Sequence, residues 1–184
     1  MTALLWLTAG APAAPVPPGS EASKNLFQKI KLRRMDSDRE VLFAEIRKPV
    51  TVVAIWTPHC PPCLKELRLL QQVSEHYKAR ADFGVVAVAF DPSGENQPEE
   101  LAHAKEVSLS LHLTFPRLWD PTLNILDLAM KPDEDLALPV LVLIDREGHL
   151  LREVGFSAED PTAYLTAKYA MVDRALHEKL PPMK

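Results

Sequence analysis

The sequence predicts an α/β fold: a central mixed β-sheet flanked by helices and preceded by an N-terminal extension. Three observations predict it. Two apolar, β-branched runs, Val50–Thr51–Val52–Val53–Ala54–Ile55 and Phe83–Gly84–Val85–Val86–Ala87–Val88–Ala89–Phe90, bracket a segment of helical periodicity. Strand, helix and buried strand in that order read as a βαβ unit with parallel strands. A third apolar run, Val140–Leu141–Val142–Leu143–Ile144–Asp145, leads through the turn Arg146–Glu147–Gly148 into His149 to Val154, an antiparallel return.

Composition bounds the rest. The chain has 184 residues, 47% of them hydrophobic, and a formal net charge of −4. That is enough for one domain with a real core and a tail. No cluster of Lys and Arg is large enough to hold nucleic acid. Lys29, Lys31, Arg33 and Arg34 alternate along a predicted strand and read as its solvated side. The two cysteines form a single Cys-x-x-Cys, so no framework of structural disulfides is expected.

The N-terminal segment stands apart. Ala3–Leu4–Leu5–Trp6–Leu7–Thr8–Ala9 is apolar, Ala11–Pro12–Ala13 is a small-x-small site, and residues 14–20 form a Pro-rich linker. This looks like the end of a secretory signal, although no Lys or Arg precedes the apolar run. The run is too short to span a membrane. Residues 1–20 are therefore expected to be a signal-like or disordered segment, and residues 21–184 the folded domain. The expected location is periplasmic or otherwise extracytoplasmic, with the cytoplasm as the alternative, since a redox Cys-x-x-Cys occurs in both.

The elements then follow in order. Leu26 to Leu32 is expected as an edge strand, Asp36–Ser37–Asp38 as a turn, and Val41 to Ile46 as a short amphipathic helical turn. Lys48–Pro49 leads into the Val50 strand. After the Phe83 strand, Asp91–Pro92–Ser93–Gly94 breaks the chain. Asn96 is expected to cap a helix running to about Val107. Phe115 to Asp120 reads as a short extended piece, Leu123 to Met130 as helix, and Lys131 to Asp135 as an acidic loop. Gly155 closes the C-terminal hairpin. Asp160 and Pro161 are N-cap and first residue of a last helix with the stripe Tyr164, Ala167, Met171 and Ala175, ended by Pro181–Pro182.

The chemistry sits at the junction Trp56–Thr57–Pro58–His59–Cys60–Pro61–Pro62–Cys63. Cys60 falls at a helix N-terminus, where unpaired N–H groups and the helix dipole favour a thiolate. Cys63 follows in the first turn, close enough to form a disulfide with Cys60. Cys63, Glu66, Leu70, Val73 and Tyr77 recur at helical spacing and Leu67 widens the face, so Glu66 points to the core side. A buried carboxyl has a raised pKa and can exchange a proton with the thiols. A surface glutamate at the edge of the stripe is the competing reading.

Several of these positions together resemble the thioredoxin fold, and within it the TlpA/ResA-type thiol–disulfide oxidoreductases of bacterial envelopes. Trp56 matches the aromatic before the motif, Cys60–Pro61–Pro62–Cys63 the active site, and Glu66 the acidic position after it. Phe115–Pro116 with Asp120, Leu138–Pro139, and Ile144–Asp145 with Gly148 match later stretches. His59 and Arg68 depart from the pattern, standing where the family usually has Trp and often has Pro. The resemblance implies that Pro139 is cis beside the disulfide, with the Leu138 backbone placed to pair with an extended substrate. Cys60 is expected to attack through a mixed disulfide and Cys63 to resolve it, with Glu66 moving the proton. No cofactor beyond the redox disulfide is expected. The partners implied are proteins bearing thiols or disulfides and a membrane electron donor, with the chain itself a monomer.

The direction of electron flow has opposed signals. Pro61 and Pro62 remove two N–H donors near the Cys60 sulfur, which favours a reductant. A protonated His59 would favour the Cys60 thiolate and hence an oxidant. Reductase is the first expectation and disulfide-forming oxidase an alternative. The alternative from another class is a copper- or zinc-binding module using Cys60, Cys63 and His59. His76, His103, His112, His149 and His177 read as scattered surface residues. A peroxidase would need Pro-x-x-x-Thr/Ser-x-x-Cys; Thr57 fits, but Val53 stands in place of the proline.

Overall fold

A computed structural model describes residues 29–129, 136–154 and 160–178. The elements run β1 (Lys31–Arg34), β2 (Glu40–Leu42), α1 (Phe43–Ile46), β3 (Val50–Trp56), α2 (Pro61–His76), β4 (Phe83–Ala89), α3 (Gln97–Ser110), β5 (Arg117–Trp119), α4 (Asn124–Ala129), β6 (Val140–Ile144), β7 (Leu150–Val154) and α5 (Pro161–His177). One seven-stranded sheet has the order β2-β1-β5-β4-β3-β6-β7. β3, β4 and β5 are parallel, and the remaining pairings are antiparallel. The expected mixed sheet, its βαβ unit and its C-terminal hairpin are all present. Among the described residues no helix is long and apolar enough to cross a membrane.

β3 and β4 run as almost unbroken apolar segments because both faces of the sheet are covered. Val52, Ala54 and Trp56 join one core cluster with Leu67 and Leu70 of α2, Ala104 of α3 and Val172 of α5. Val53 and Ile55 face the other, with Phe43 of α1 and Ile125 of α4. The redox helix and the C-terminal helix thus pack on the same face.

Four expectations are corrected. β1 is not an edge strand: β2 covers its outer side and β5 its inner side. The segment from Val41 to Ile46 is split, because Val41 and Leu42 extend β2 against Leu32 and Lys31 before the chain turns into α1. Asn96 sits at the N-cap of α3 but its side chain makes no cap bond. Asp91 takes up the local donors instead, accepting from Asn96 N at 3.0 Å and Ser93 N at 2.8 Å. The stripe of α5 is Lys168, Val172, Ala175 and Leu176, with Ala167 exposed. A lysine at a core position disguised the phase. Asp160 does cap α5, accepting from Thr162 N at 2.8 Å and Ala163 N at 3.2 Å. The signal-like segment, the boundary at residue 20, Leu26 to Gln28, Met130, the loop 131–135, Gly155 and Pro181–Pro182 lie outside the described residues.

Candidate active site

The site forms where β3 ends. Cys60 is the N-cap of α2, with extended backbone (φ −108°, ψ 94°), and Pro61 and Pro62 open the helix. Proline fits there because its missing N–H would have had no helical partner. Cys60 and Cys63 are joined in a disulfide with Cα atoms 5.2 Å apart. The Cys63 N–H points at Cys60 Sγ, 3.3 Å away, so a donor is already aimed at the sulfur that would carry charge on reduction. Cys60 is half-buried and Cys63 has no exposed surface. Of the two cysteines, Cys60 is therefore the one with surface open to solvent.

Leu138–Pro139 lies across from this loop. β6 runs antiparallel to β3 with Val140 opposite Ile55, which sets the preceding residue, Pro139, across from Trp56 at the carboxyl end of β3. The Leu138–Pro139 bond is cis. Pro139 is buried, while Leu138 is half-buried and touches both core clusters.

Glu66 is on the core side, 3% exposed. Its Oε1 accepts a hydrogen bond from the Tyr164 hydroxyl of α5 at 2.8 Å. Burial disfavours the carboxylate and pushes the pKa up, while the Tyr164 hydrogen bond and the Lys168 charge oppose the rise. Lys168, itself 7% exposed, contacts the Glu153 carboxylate of β7 and lies over the Tyr164 ring, 4.8 Å from its centroid. Burial lowers the lysine's pKa and Glu66 acts against that.

Between the ordinary Glu66 pKa of 4.5 and the raised one, the folded chain holds a proton that the unfolded chain has released. Stability is greatest below that window and falls as pH rises through it. Glu66→Gln removes the titration and keeps an acceptor for Tyr164. Its urea midpoint should exceed that of the natural chain at about pH 8 and match it at about pH 4. Equal midpoints at both pH values would contradict a raised pKa.

His59 is exposed but not isolated. Its Nε2 lies 3.0 Å from Glu100 Oε1, and its ring stacks on His103 at 4.8 Å between centroids. Glu100 and His103 both come from α3; His103 is on the surface as expected, but it is stacked on His59 and not isolated. His149 is also engaged, its Nδ1 2.8 Å from Asp145 Oδ2. Asp145, Glu147 and His149 place ligand-type atoms within 4.8 Å of one another, away from the cysteines. Two buried atoms, Trp56 Nε1 and Glu100 Oε2, have no hydrogen-bond partner among the described residues.

The structure therefore brings Trp56, His59, Cys60, Pro61, Pro62, Cys63, Glu66, Leu138 and Pro139 to one end of the sheet. The sequence alone does not announce Glu100, His103, Glu153 or Lys168 as part of this end of the sheet, and it puts Tyr164 on a helical stripe without a role. The visible signal was the i, i+4 spacing of Tyr164 and Lys168 on the helix that closes the domain.

A Cys-x-x-Cys at the head of a helix that leaves the centre of a mixed, helix-covered sheet defines a thiol–disulfide oxidoreductase of the thioredoxin fold. More narrowly, the chain belongs to the AhpC/TSA family, whose sequence profile matches residues 24–152. The TlpA/ResA-type resemblance agrees with this placement. Three solved structures illustrate the fold. One is a secreted Mycobacterium tuberculosis disulfide oxidoreductase homologous to E. coli DsbE, 18% identical, covering 78% of this chain and 98% of that one, with a TM-score of 0.58. Another is a thiol:disulfide interchange protein of the thioredoxin family from Chlorobium tepidum, 18% identical over 86% and 98% of the two chains, TM-score 0.59. The third is an exposed lipoprotein thioredoxin of Streptococcus pneumoniae, 21% identical over 75% and 98%, TM-score 0.55. At these identities the likeness is one of fold. No curated protein matches the chain significantly in sequence.

Proposed function

We propose that this chain reduces disulfides in protein substrates outside the cytoplasm, using Cys60 as nucleophile and Cys63 as resolving thiol. The observation that carries the reading is the disulfide at the α2 N-terminus with Glu66 buried one turn below it. In the reductive direction the Cys60 thiolate attacks a substrate disulfide, forming a mixed disulfide and releasing one substrate thiolate. Cys63 gives its proton to Glu66 and attacks Cys60 Sγ. The Cys60–Cys63 disulfide closes, the second substrate thiol leaves, and two electrons have passed to the substrate. A membrane electron donor would return them. The Leu138 backbone beside the disulfide serves as the docking edge for an extended substrate segment.

Three features favour reduction. Pro61 and Pro62 withhold two N–H donors from the Cys60 sulfur. A carboxylate at Glu66 disfavours a second negative charge on the thiols. Any positive charge on His59 is met by Glu100 at 3.0 Å, which weakens its pull on the Cys60 thiolate. The proposed location draws support from the secreted and surface-exposed proteins that share the fold. Peroxidase chemistry is not proposed, because Val53, midway along β3, occupies the position of the motif's proline.

The metal reading is favoured by no observation, since both sulfurs are tied in the disulfide. Insulin precipitation with dithiothreitol as electron source tests the function. The natural chain should accelerate precipitation and a Cys60→Ser chain should not. No acceleration by either would overturn the reductase reading.

A further inference from the structure

The helix that closes the domain packs along the redox helix, with His76 stacked on Tyr169 and the Tyr77 hydroxyl donating to Asp173 at its far end. Tyr164 of α5 donates to Glu66 of α2 across 98 positions of sequence. One turn later on the same face, Lys168 is drawn into the core, 7% exposed, its ammonium between the Tyr164 ring and the Glu153 carboxylate. A lysine seldom occupies such a place unless it is paired. β3, β4 and β6 contribute no titratable side chain to this region, as none of the three carries one. On α2 the charged neighbours Lys65 and Arg68 point to solvent. Among the described residues, the titratable groups on the side of Glu66 are therefore Cys63, one turn before it on its own helix, Tyr164 and Lys168 of α5, and Glu153 of β7 through Lys168.

We propose that Tyr164 and Lys168 are positioning residues for the thiol–disulfide exchange, holding Glu66 as a fixed, ionised acceptor for the Cys63 proton at neutral pH. The inference rests on the reading of Glu66 as that acceptor. Burial against an apolar sheet disfavours the carboxylate, and a protonated Glu66 cannot take a proton from Cys63. The Tyr164 hydroxyl offsets this by donating to Oε1. Its own pKa is pushed up by burial and by Glu66, so it remains a donor through the working range. The Lys168 charge adds a field of the same sign without occupying the carboxylate. Glu153 holds the ammonium at the solvent side, so Lys168 stays close to Glu66 and does not displace the tyrosine.

The reacting step balances simply. Cys63 Sγ loses its proton to Glu66, and its electron pair forms the bond to Cys60 Sγ. The bond from Cys60 to the outgoing sulfur breaks, and that sulfur leaves as thiolate. Glu66 then releases the proton to solvent before the next turnover.

The test uses the full reduced chain and oxidised glutathione as probe, with the closure of Cys60–Cys63 followed across the pH range. Closure is the step whose rate does not depend on glutathione concentration. With Glu66 as base, the rate of the natural chain rises with pH and then levels off once Glu66 is ionised. In Glu66→Gln that plateau should vanish, leaving a rate that climbs steadily with alkalinity. Tyr164→Phe should keep the plateau height but shift its onset to higher pH. Lys168→Gln should do the same by less, and Lys168→Arg should restore the natural profile. If Glu66→Gln retains the natural plateau, the reading of Glu66 fails and this inference with it. If Glu66→Gln loses the plateau while Tyr164→Phe and Lys168→Gln reach theirs at the natural pH, only the inference about α5 is overturned. Should Tyr164→Phe not fold, the Lys168→Gln and Lys168→Arg pair decides, since a packing defect would lower the rate at every pH without moving the onset.

Discussion

A Cys63→Ser chain is expected to capture substrate proteins in a covalent adduct through Cys60, and a Cys60→Ser chain to capture none. Turnover should fall to background in both, but for different reasons. Cys60 is the half-buried N-cap, reachable from solvent, and the Cys63 N–H already points at its sulfur from 3.3 Å. It can attack without its partner. Cys63 has no exposed surface and its sulfur is bonded to that of Cys60. Once Cys63 is replaced by serine, no thiolate remains to attack the Cys60 end of the mixed disulfide, and the adduct persists until an external thiol arrives. Non-reducing electrophoresis with insulin as partner, then with an envelope extract, reads the result. Adducts of equal yield from both single variants would mean that the two sulfurs are interchangeable, and the assigned order of attack would be wrong.

Phe43→Ala is expected to cost about 3–5 kcal/mol of folding stability, a large part of the 5–15 kcal/mol typical of a domain. Phe43 has no exposed surface and opens α1, its N–H bonded to Ile30 O at 2.8 Å. It packs with Val53, Ile55 and Leu118 on the sheet face opposite α2. The urea midpoint should drop sharply while the Cys60–Cys63 potential stays unchanged, because both cysteines and Glu66 lie on the opposite face and Leu138 alone of the site residues touches the Phe43 cluster. A potential that moves together with the midpoint would show that the two faces are coupled through the sheet.

What could be read ahead of the structure tracks how local each signal is. α2 was legible because its apolar phase is clean from Cys63 to Tyr77 and its start is marked by two prolines. β3, β4 and β6 were legible because burial on both faces leaves them no polar alternation. β5 was less so: Arg117, Leu118 and Trp119 become a strand only through their pairing with β4 and β1, which no short window contains. Val41 to Ile46 fits either period, and the partner of Val41 is Leu32, across a turn. α5 was misphased by one residue because Lys168 reads as a surface side chain until its partners are known. The same lysine and Tyr164 make up the site's unseen half. A contact between Glu66 and Tyr164 spans 98 positions, and no property of either residue alone announces it.

The central claim is that Cys60 and Cys63 form a reducing couple. Equilibration of the full chain in defined glutathione and dithiothreitol buffers, with the two redox forms separated after acid quenching, measures it directly. A reduction potential near that of thioredoxin, about −270 mV, is the result expected of a reductase recharged by a membrane donor. A value near about −120 mV would contradict it: the chain would then form disulfides, and the pairing of His59 with Glu100 would not be restraining the imidazole's effect on Cys60.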